Sequence, residues 1–194
     1  MNAVFITVRT GSTRLRNKAL LQINNKTTIE YVIDRAKKSN LADMVVLCTT
    51  TLPEDDILCD IAIKNDIKCY RGDIHDKLDR WHGAAEKYGV DFFVTADGDD
   101  LFCEPTLIDL ALAQYNQTGC DFIKSEGVIC GAFTYGIKTS ALRKVCEIKD
   151  SDNTEMMWVY FTDTGLFNVE DLKNIPESFL RTDIRMTLDY KDDF

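Results

Sequence analysis

Basic residues are in deficit in this chain. Its 194 residues carry 23 Lys and Arg against 32 Asp and Glu, a formal net charge of -9. That balance excludes general nucleic-acid binding, which needs a basic face, yet leaves room for a local basic site that takes a small anion. Histidine is scarcer still, with only His75 and His82. The seven cysteines (Cys48, Cys59, Cys69, Cys103, Cys120, Cys130 and Cys146) include no C-x-x-C pair, so a zinc site of clustered ligands is excluded. They are expected to be reduced, mostly buried thiols of a reducing compartment. Long apolar runs are missing too. The N-terminal run is about six residues with no basic segment before it, too short for a signal peptide or a membrane span. A cytoplasmic protein with no membrane partner is the expectation. Repeats, low-complexity tracts and linkers are absent, so residues 1–194 are expected to form one domain.

What is present is an alternation of strand and helix patterns. Residues 3–8 are apolar and β-branched, a buried strand. Thr27-Thr28-Ile29-Glu30 is a capping-box pattern, and Ile29, Val32, Ile33 and Ala36 follow at helical spacing. Residues 44–48 form a second strand pattern. Pro53 with Glu54, Asp55 and Asp56 opens a helix, proline in the first turn and acids at the positive end of the dipole. A short strand at 67–70, a helix at 76–88, a strand at 92–96 and a helix at 105–115 follow. Such alternation with short links predicts an α/β fold, a mostly parallel sheet with helices on both faces. Beyond Gly119 the rhythm changes. Strands are expected at 122–124, 132–138, 166–169 and 184–188, and short helices at 141–146 and 154–161. Trp81, Tyr88 and Trp158 are expected to serve as core or interface aromatics. The terminal stretch from Asp189 to Phe194 reads as the start of a helix, so a chain that continues beyond it is expected.

Ligands of an open parallel sheet bind beyond the carboxyl ends of its strands. The first strand end carries Arg9, Gly11, Ser12, Thr13, Arg14, Arg16 and Lys18. The fourth carries Asp97-Gly98-Asp99-Asp100, and the last carries Asp189 with Asp192 and Asp193. Cations on one strand end and carboxylates on two others suit a metal–polyphosphate complex. The common phosphate loops do not fit. There is no G-x-G-x-x-G, and Lys18 stands between Asn17 and Ala19 rather than in a Walker Gly-Lys-Ser/Thr. Nor is 97–100 an EF-hand loop, because its glycine is misplaced and position 108 is Ile.

The stretch RTGSTRLRNKAL, residues 9–20, resembles the R-x-G-S-x-R-L-x-x-K-x-L signature of the CMP-sugar synthetases, the sugar-acid cytidylyltransferases. The similarity is greatest to the branch that includes the spore coat polysaccharide cytidylyltransferases. It continues at CTTTLPEDD (48–56), YRGDIHDKLDR (70–80), TADGDD (95–100) and RMTLDYKDDF (185–194). The resemblance implies a Rossmann-like, GT-A-like nucleotidyltransferase fold. It implies transfer of CMP from CTP to a sugar, with Mg²⁺ and release of pyrophosphate, in surface polysaccharide or glycan synthesis. By the same resemblance Arg14 and Lys18 hold the triphosphate. Arg9, Gly11, Ser12 and Thr13 line its loop, and Thr50 and Arg71 lie near base and ribose. Asp99 and Asp189 hold the metal, and Arg14, Lys18 and Asp99 act in catalysis. The family often dimerises through its second half, so a homodimer is expected.

The chain also departs from that pattern. Asp100-Leu101-Phe102 replaces the branch's Cys-Pro-Leu, Arg16 its usual proline, and Met156 its frequent His. Residues 124–165, where the family binds sugar, match least; Lys124 and Glu155 are the acceptor candidates there. A keto-sugar acid is the expected acceptor, and Arg143, Arg181 and Arg185 are the arginines of the second half available to its carboxylate. Two alternatives stand beside this reading: a sugar-phosphate nucleotidyltransferase using another nucleotide, and a nucleotide-binding domain without turnover.

Overall fold

The structure, a computed structural model, describes residues 1–154 and 157–194. In chain order its elements are β1 (Asn2–Thr7), β2 (Gln22–Ile23), β3 (Lys26–Thr27), α1 (Thr28–Ala36), β4 (Met44–Thr50), α2 (Asp56–Lys64), β5 (Lys68–Gly72), α3 (Lys77–Tyr88), β6 (Phe92–Asp97), α4 (Pro105–Thr118), β7 (Phe122–Lys124), β8 (Gly136–Lys138), α5 (Thr139–Ile148), α6 (Val159–Thr162) and β9 (Val169–Asp171). Seven strands make one sheet in the order β5-β4-β1-β6-β8-β7-β9. β5, β4, β1 and β6 run parallel, β8 pairs antiparallel with β6 and β7, and β9 is parallel to β7. This is the mostly parallel, helix-flanked Rossmann-like sheet that the alternation predicts.

The period of two in a strand sorts the core into two faces. Val4 and Ile6 of β1 pack with Ile29, Val32 and Ile33 of α1, with α2, and with Leu107, Ile108 and Leu112 of α4. Ala3 and Phe5 point the other way, onto Leu78 and Trp81 of α3, Leu142 and Val145 of α5, and Phe161 of α6. Phe5 stacks on Phe93 with centroids 4.2 Å apart, and Trp81 meets Phe93 edge-on at 5.9 Å. Helix α3 ends at Gly89, whose φ of 64° would strain a side-chain-bearing residue.

Five expectations need correction. Residues 184–188 are extended but form no strand. Their backbone is tied by one isolated parallel bridge, Cys130 with Arg185, and by the bond from Leu188 N to Asp99 O at 3.0 Å. The strand expected at 132–138 begins only at Gly136, because Tyr135 N is taken by the Thr95 hydroxyl at 3.2 Å, outside the ladder. The strand expected at 166–169 begins at Val169, since Asn168 N goes to the Asp121 carboxylate at 3.0 Å. The cysteines are not all free: α2 and β5 pack side by side, which brings Cys59 and Cys69 to a Cα separation of 5.5 Å, and the two are joined as a disulfide. Of the others, Cys48, Cys103 and Cys120 are buried thiols. Glu155 and Met156 lie outside the described residues; of the rest of the helix expected at 154–161, Thr154 is irregular, Met157 and Trp158 form a turn, and the helix α6 starts only at Val159. The β2–β3 hairpin, absent from the sequence expectation, turns on Asn24 and Asn25, both at positive φ.

The capping box of α1 is a measurable anchor. Glu30 is 8 % exposed, and its Oε2 accepts from both the backbone N–H and the hydroxyl of Thr27 at 2.8 Å. Burial alone would raise its pKa; the Thr27 bonds, with Asn65 and Lys64 on the other oxygen, outweigh it and hold the carboxyl at about 2. A depressed carboxylate contributes stability above its unfolded pKa and loses it as pH falls through the folded value. Glu30→Gln is therefore expected to cost about 2–3 kcal/mol at pH 7. It should also flatten the loss of stability between pH 4.5 and about 2, read by urea denaturation across that range.

Candidate active site

The loop after β1 is fixed from below by a buried acid. Asp55 is fully buried and accepts from the backbone N–H of Thr10 at 2.8 Å, from its hydroxyl at 2.7 Å, and from the Thr50 hydroxyl. These bonds outweigh the upward push of burial and hold Asp55 ionised. Beyond Thr10 the chain is exposed through Gly11, Thr13 and Arg14, and it turns at Asn17, whose left-handed φ is 53°. That turn starts a short 3₁₀ segment, Lys18–Leu20, anchored by buried Ala19. Lys18 is thereby directed back across the sheet edge.

Across from it stand the carboxylates. Lys18 Nζ is ion-paired with Asp99 Oδ2 and lies 3.4 Å from Asp189 Oδ1. Arg14 Nη2 is 2.7 Å from the same Asp189 oxygen. All three side chains of the lysine–diacid cluster are less than one-fifth exposed, so water screens them weakly. Asp189 is further held by the Thr187 hydroxyl at 2.7 Å and by Arg185 at 3.2 Å. Burial pushes its pKa up, but Thr187, Lys18 and Arg14 together keep it below the usual carboxylate value. Asp193 shapes the terminal turn, accepting from the N–H groups of Asp189 and Tyr190 at 2.8 Å and pairing with Arg185. The Tyr190 ring lies 5.7 Å from the Arg14 guanidinium and 6.0 Å from that of Arg185.

These parts border a cleft of about 590 Å³. One wall is the basic loop, with Arg9, Gly11, Ser12, Thr13, Arg14 and Lys18. A second is Asp97, Gly98 and Asp99, and a third is the start of α3 with His75, Lys77 and Arg80. Gly98 is required where it stands, because a Cβ there would sit 2.6 Å from Val8 Cγ2. Arg80 is 5 % exposed and donates from Nη1 to the Asp73 carbonyl at 2.5 Å; its Nε is buried without a partner. Burial pushes its pKa down.

Two candidates lie elsewhere. Thr50 is buried, with its hydroxyl on Asp55. Arg71 spends its guanidinium on the carbonyls of Thr50 at 3.0 Å and Leu52 at 2.9 Å and on Asp56 at 2.5 Å. Neither borders the cleft. Asp189 is placed through Lys18 and Arg14 rather than on the lining. Lys124 pairs with Glu126 at 2.6 Å and Asp171 at 3.1 Å. Arg143 pairs with Glu86, and Arg181 with Asp183. Of the second-half arginines, Arg185 alone is ion-paired to the cluster's acids. The sequence reading missed Asp55, whose place in the first helical turn looked like a dipole acid, and Lys77, whose signal is a cation at a helix start.

A nucleotide-sized cleft at the carboxyl ends of a parallel sheet, with a basic loop facing paired carboxylates, defines a nucleotidyltransferase type of architecture. The Cytidylyltransferase family profile matches residues 3–175, and the chain belongs to that family. It is 25% identical over 196 residues to the spore coat polysaccharide biosynthesis protein SpsF of Bacillus subtilis, across 97% of this chain and 81% of that protein. It is 33% identical over 120 residues to the 3-deoxy-manno-octulosonate cytidylyltransferase of Chlorobaculum parvum, across 61% of this chain and 48% of that enzyme. Among solved structures, a cytidylyltransferase from Leptospira borgpetersenii superposes with a TM-score of 0.88 at 26% identity, over 99% of this chain and 82% of that one. No described helix is long and apolar enough to cross a membrane.

Replacing Asp55 by Ala leaves three donors, Thr10 N–H and two hydroxyls, buried without an acceptor. The expected loss is about 2–4 kcal/mol of stability in urea titration, with weakened binding of any ligand that needs the Thr10–Thr13 loop. Undiminished stability would show that the loop is held by other means.

Proposed function

We propose that this chain transfers CMP from CTP to a hydroxyl of a sugar acid and releases pyrophosphate, for surface polysaccharide or glycan synthesis. The observation that carries the proposal is the Arg14–Lys18 loop meeting Asp99 and Asp189 at the edge of one cleft. Arg14 and Lys18 bind the phosphates and take up the negative charge that grows on the departing pyrophosphate. Backbone and hydroxyl donors of Gly11, Ser12 and Thr13 orient the chain of phosphates. Arg9 adds positive charge at the same wall. Thr50 and Arg71 act on the nucleotide indirectly, by fixing the floor of the loop.

Asp99 and Asp189 are the proposed metal ligands. An ammonium lying between two carboxylates shows that this point favours positive charge. Two carboxylates are also the usual protein share of a Mg²⁺ site that substrate phosphates complete. The donor set fits a hard divalent cation, which when bound polarises phosphate and hydroxyl oxygens. The proposal places this chemistry on one domain spanning residues 1–194, in the cytoplasm, in a homodimer.

Thermal denaturation with CTP, UTP, ATP and GTP, each with and without Mg²⁺, tests the reading. Mg·CTP at a hundredfold excess over its Kd should stabilise by about 2.7 kcal/mol, a rise of roughly 5–10 °C for a chain of this size. Asp99→Ala should lose the Mg²⁺-dependent part and lower pyrophosphate release with CTP and 3-deoxy-manno-octulosonate by about a hundredfold or more. A larger shift with another nucleotide would favour sugar-phosphate nucleotidyl transfer. Stabilisation by Mg·CTP without pyrophosphate release from any acceptor would point to a binding domain.

A further inference from the structure

Lys77 is out of place by the rules of helix stability. It occupies the first position of α3, where the positive end of the helix dipole favours acids and disfavours cations. Its side chain nevertheless folds inward and is 19% exposed. The ammonium lies 2.9 Å from Asp97 Oδ1 and 4.8 Å from the centroid of the Trp81 ring. Trp81 is itself fully buried and donates its indole N–H to the Thr7 hydroxyl at 2.7 Å. A flexible lysine is thus fixed from two sides, at a cost in side-chain freedom and dipole energy, with its head at the cleft wall.

We propose that Lys77 binds the carboxylate of the acceptor sugar acid. The inference rests on the reading of cytidylyl transfer to such an acid. In a 2-keto sugar acid the carboxylate carbon is bonded to the anomeric carbon, whose hydroxyl is the nucleophile. Carboxylate and nucleophile therefore enter the site as neighbours. A cation serving the first must stand close to the residue that serves the second. Gly98 alone separates Asp97 from Asp99, and two residues of chain span at most about 7 Å. Lys77, paired with Asp97, meets that condition. An ammonium has three donors, so Nζ can keep its bond to Asp97 while it donates to a second carboxylate. Five other cations stand on acids of their own. Lys18 and Arg14 face Asp99 and Asp189, Arg185 faces Asp189 and Asp193, and Arg143 and Arg181 pair with Glu86 and Asp183.

Calorimetric titration of the full chain tests the assignment. The ligands are α,β-methylene CTP with Mg²⁺, and then, on that complex, 3-deoxy-manno-octulosonate, N-acetylneuraminate and the methyl ester of each. In Lys77→Gln the Kd of the bound acid should rise about tenfold or more, the loss of one charge-assisted hydrogen bond. Lys77→Arg, which keeps the charge, should recover most of it. The Kd of the nucleotide analogue should stay within about twofold in both variants, and the methyl esters should not distinguish wild type from Lys77→Gln. An acid affinity unchanged by Lys77→Gln overturns the proposal. So does an equal loss for acid and ester, or a wild-type protein that binds the analogue but neither acid, and all three leave the nucleotide reading standing. Failure of the wild type to bind the analogue with Mg²⁺ overturns the nucleotide reading instead, and with it the basis of this inference.

Discussion

The site depends on one junction, the Lys18 ammonium held between Asp99 and Asp189. The three residues come from the end of β1, the end of β6 and the terminal segment, and the junction is the point where these meet. Its charges are self-compensating: Arg14, Lys18 and Arg185 face Asp99, Asp189 and Asp193. Such a cluster trades desolvation against attraction and makes little claim on stability by itself. What it fixes is geometry. On the proposed reading it also bears on the form of the ligand. A balanced junction leaves its two carboxylates to receive a cation carried by the nucleotide, while Arg9, Lys77 and Arg80 add positive charge to the cleft walls.

The sheet supplies the rigid frame for this junction. β1 is the pivot, paired with β4 on one side and β6 on the other, so the basic loop and the Asp97–Asp99 turn leave the sheet as immediate neighbours. Close packing sets their separation: Gly98 lies against Val8 with no room for a Cβ, and Gly98 N–H donates to Thr7 O at 2.8 Å. Asp55 does for the floor of the loop what Gly98 does for its opposite wall. The third contribution is long in sequence and short in space. Leu188 N–H donates to Asp99 O, which brings Asp189 next to Asp99 without any strand having formed.

How far the sequence revealed this follows from the range of the forces involved. Local signals were legible. The short apolar, β-branched run of β1, the Thr27–Glu30 capping box and the proline-led start at Pro53 are written in neighbouring residues, and they yielded the parallel half of the sheet. Clustered charge was legible too, since Arg14, Lys18 and Asp99 lie in short dense motifs. What failed depends on packing between distant segments. The disulfide between Cys59 and Cys69 is set by how α2 lies on β5, and nothing in the spacing of the two reveals it. Residues 184–188 alternate like a strand, yet the bonds that hold them go to Cys130 and Asp99, outside any ladder. Arg71 matches a nucleotide-binding block, but carbonyls of the β4–α2 loop take its guanidinium. Lys77 was missed, and its one local signal is a cation where the helix dipole favours an acid.

Asp100 shows why a departure from a family pattern must be read in its surroundings. As a third acid beside Asp97 and Asp99, it looks in sequence like an added metal ligand or a disturbance of the site. In the structure it is 4 % exposed. Burial, and then the charges of Asp97 and Asp99, push its pKa well above the ordinary carboxylate value, so it is held toward its neutral form. A neutral carboxyl adds nothing to the negative charge of Asp99 and Asp189. Its Oδ2 instead accepts from the Asp97 N–H at 3.1 Å and from the Thr134 hydroxyl at 3.3 Å. Thr134 belongs to the segment that leads into β8, in the half of the chain where the family pattern is weakest. Asp100 therefore braces the turn that carries Asp99 against that half, and the position where the resemblance gives cysteine becomes a polar tie between the Asp97–Asp99 wall of the cleft and the segment that leads into β8.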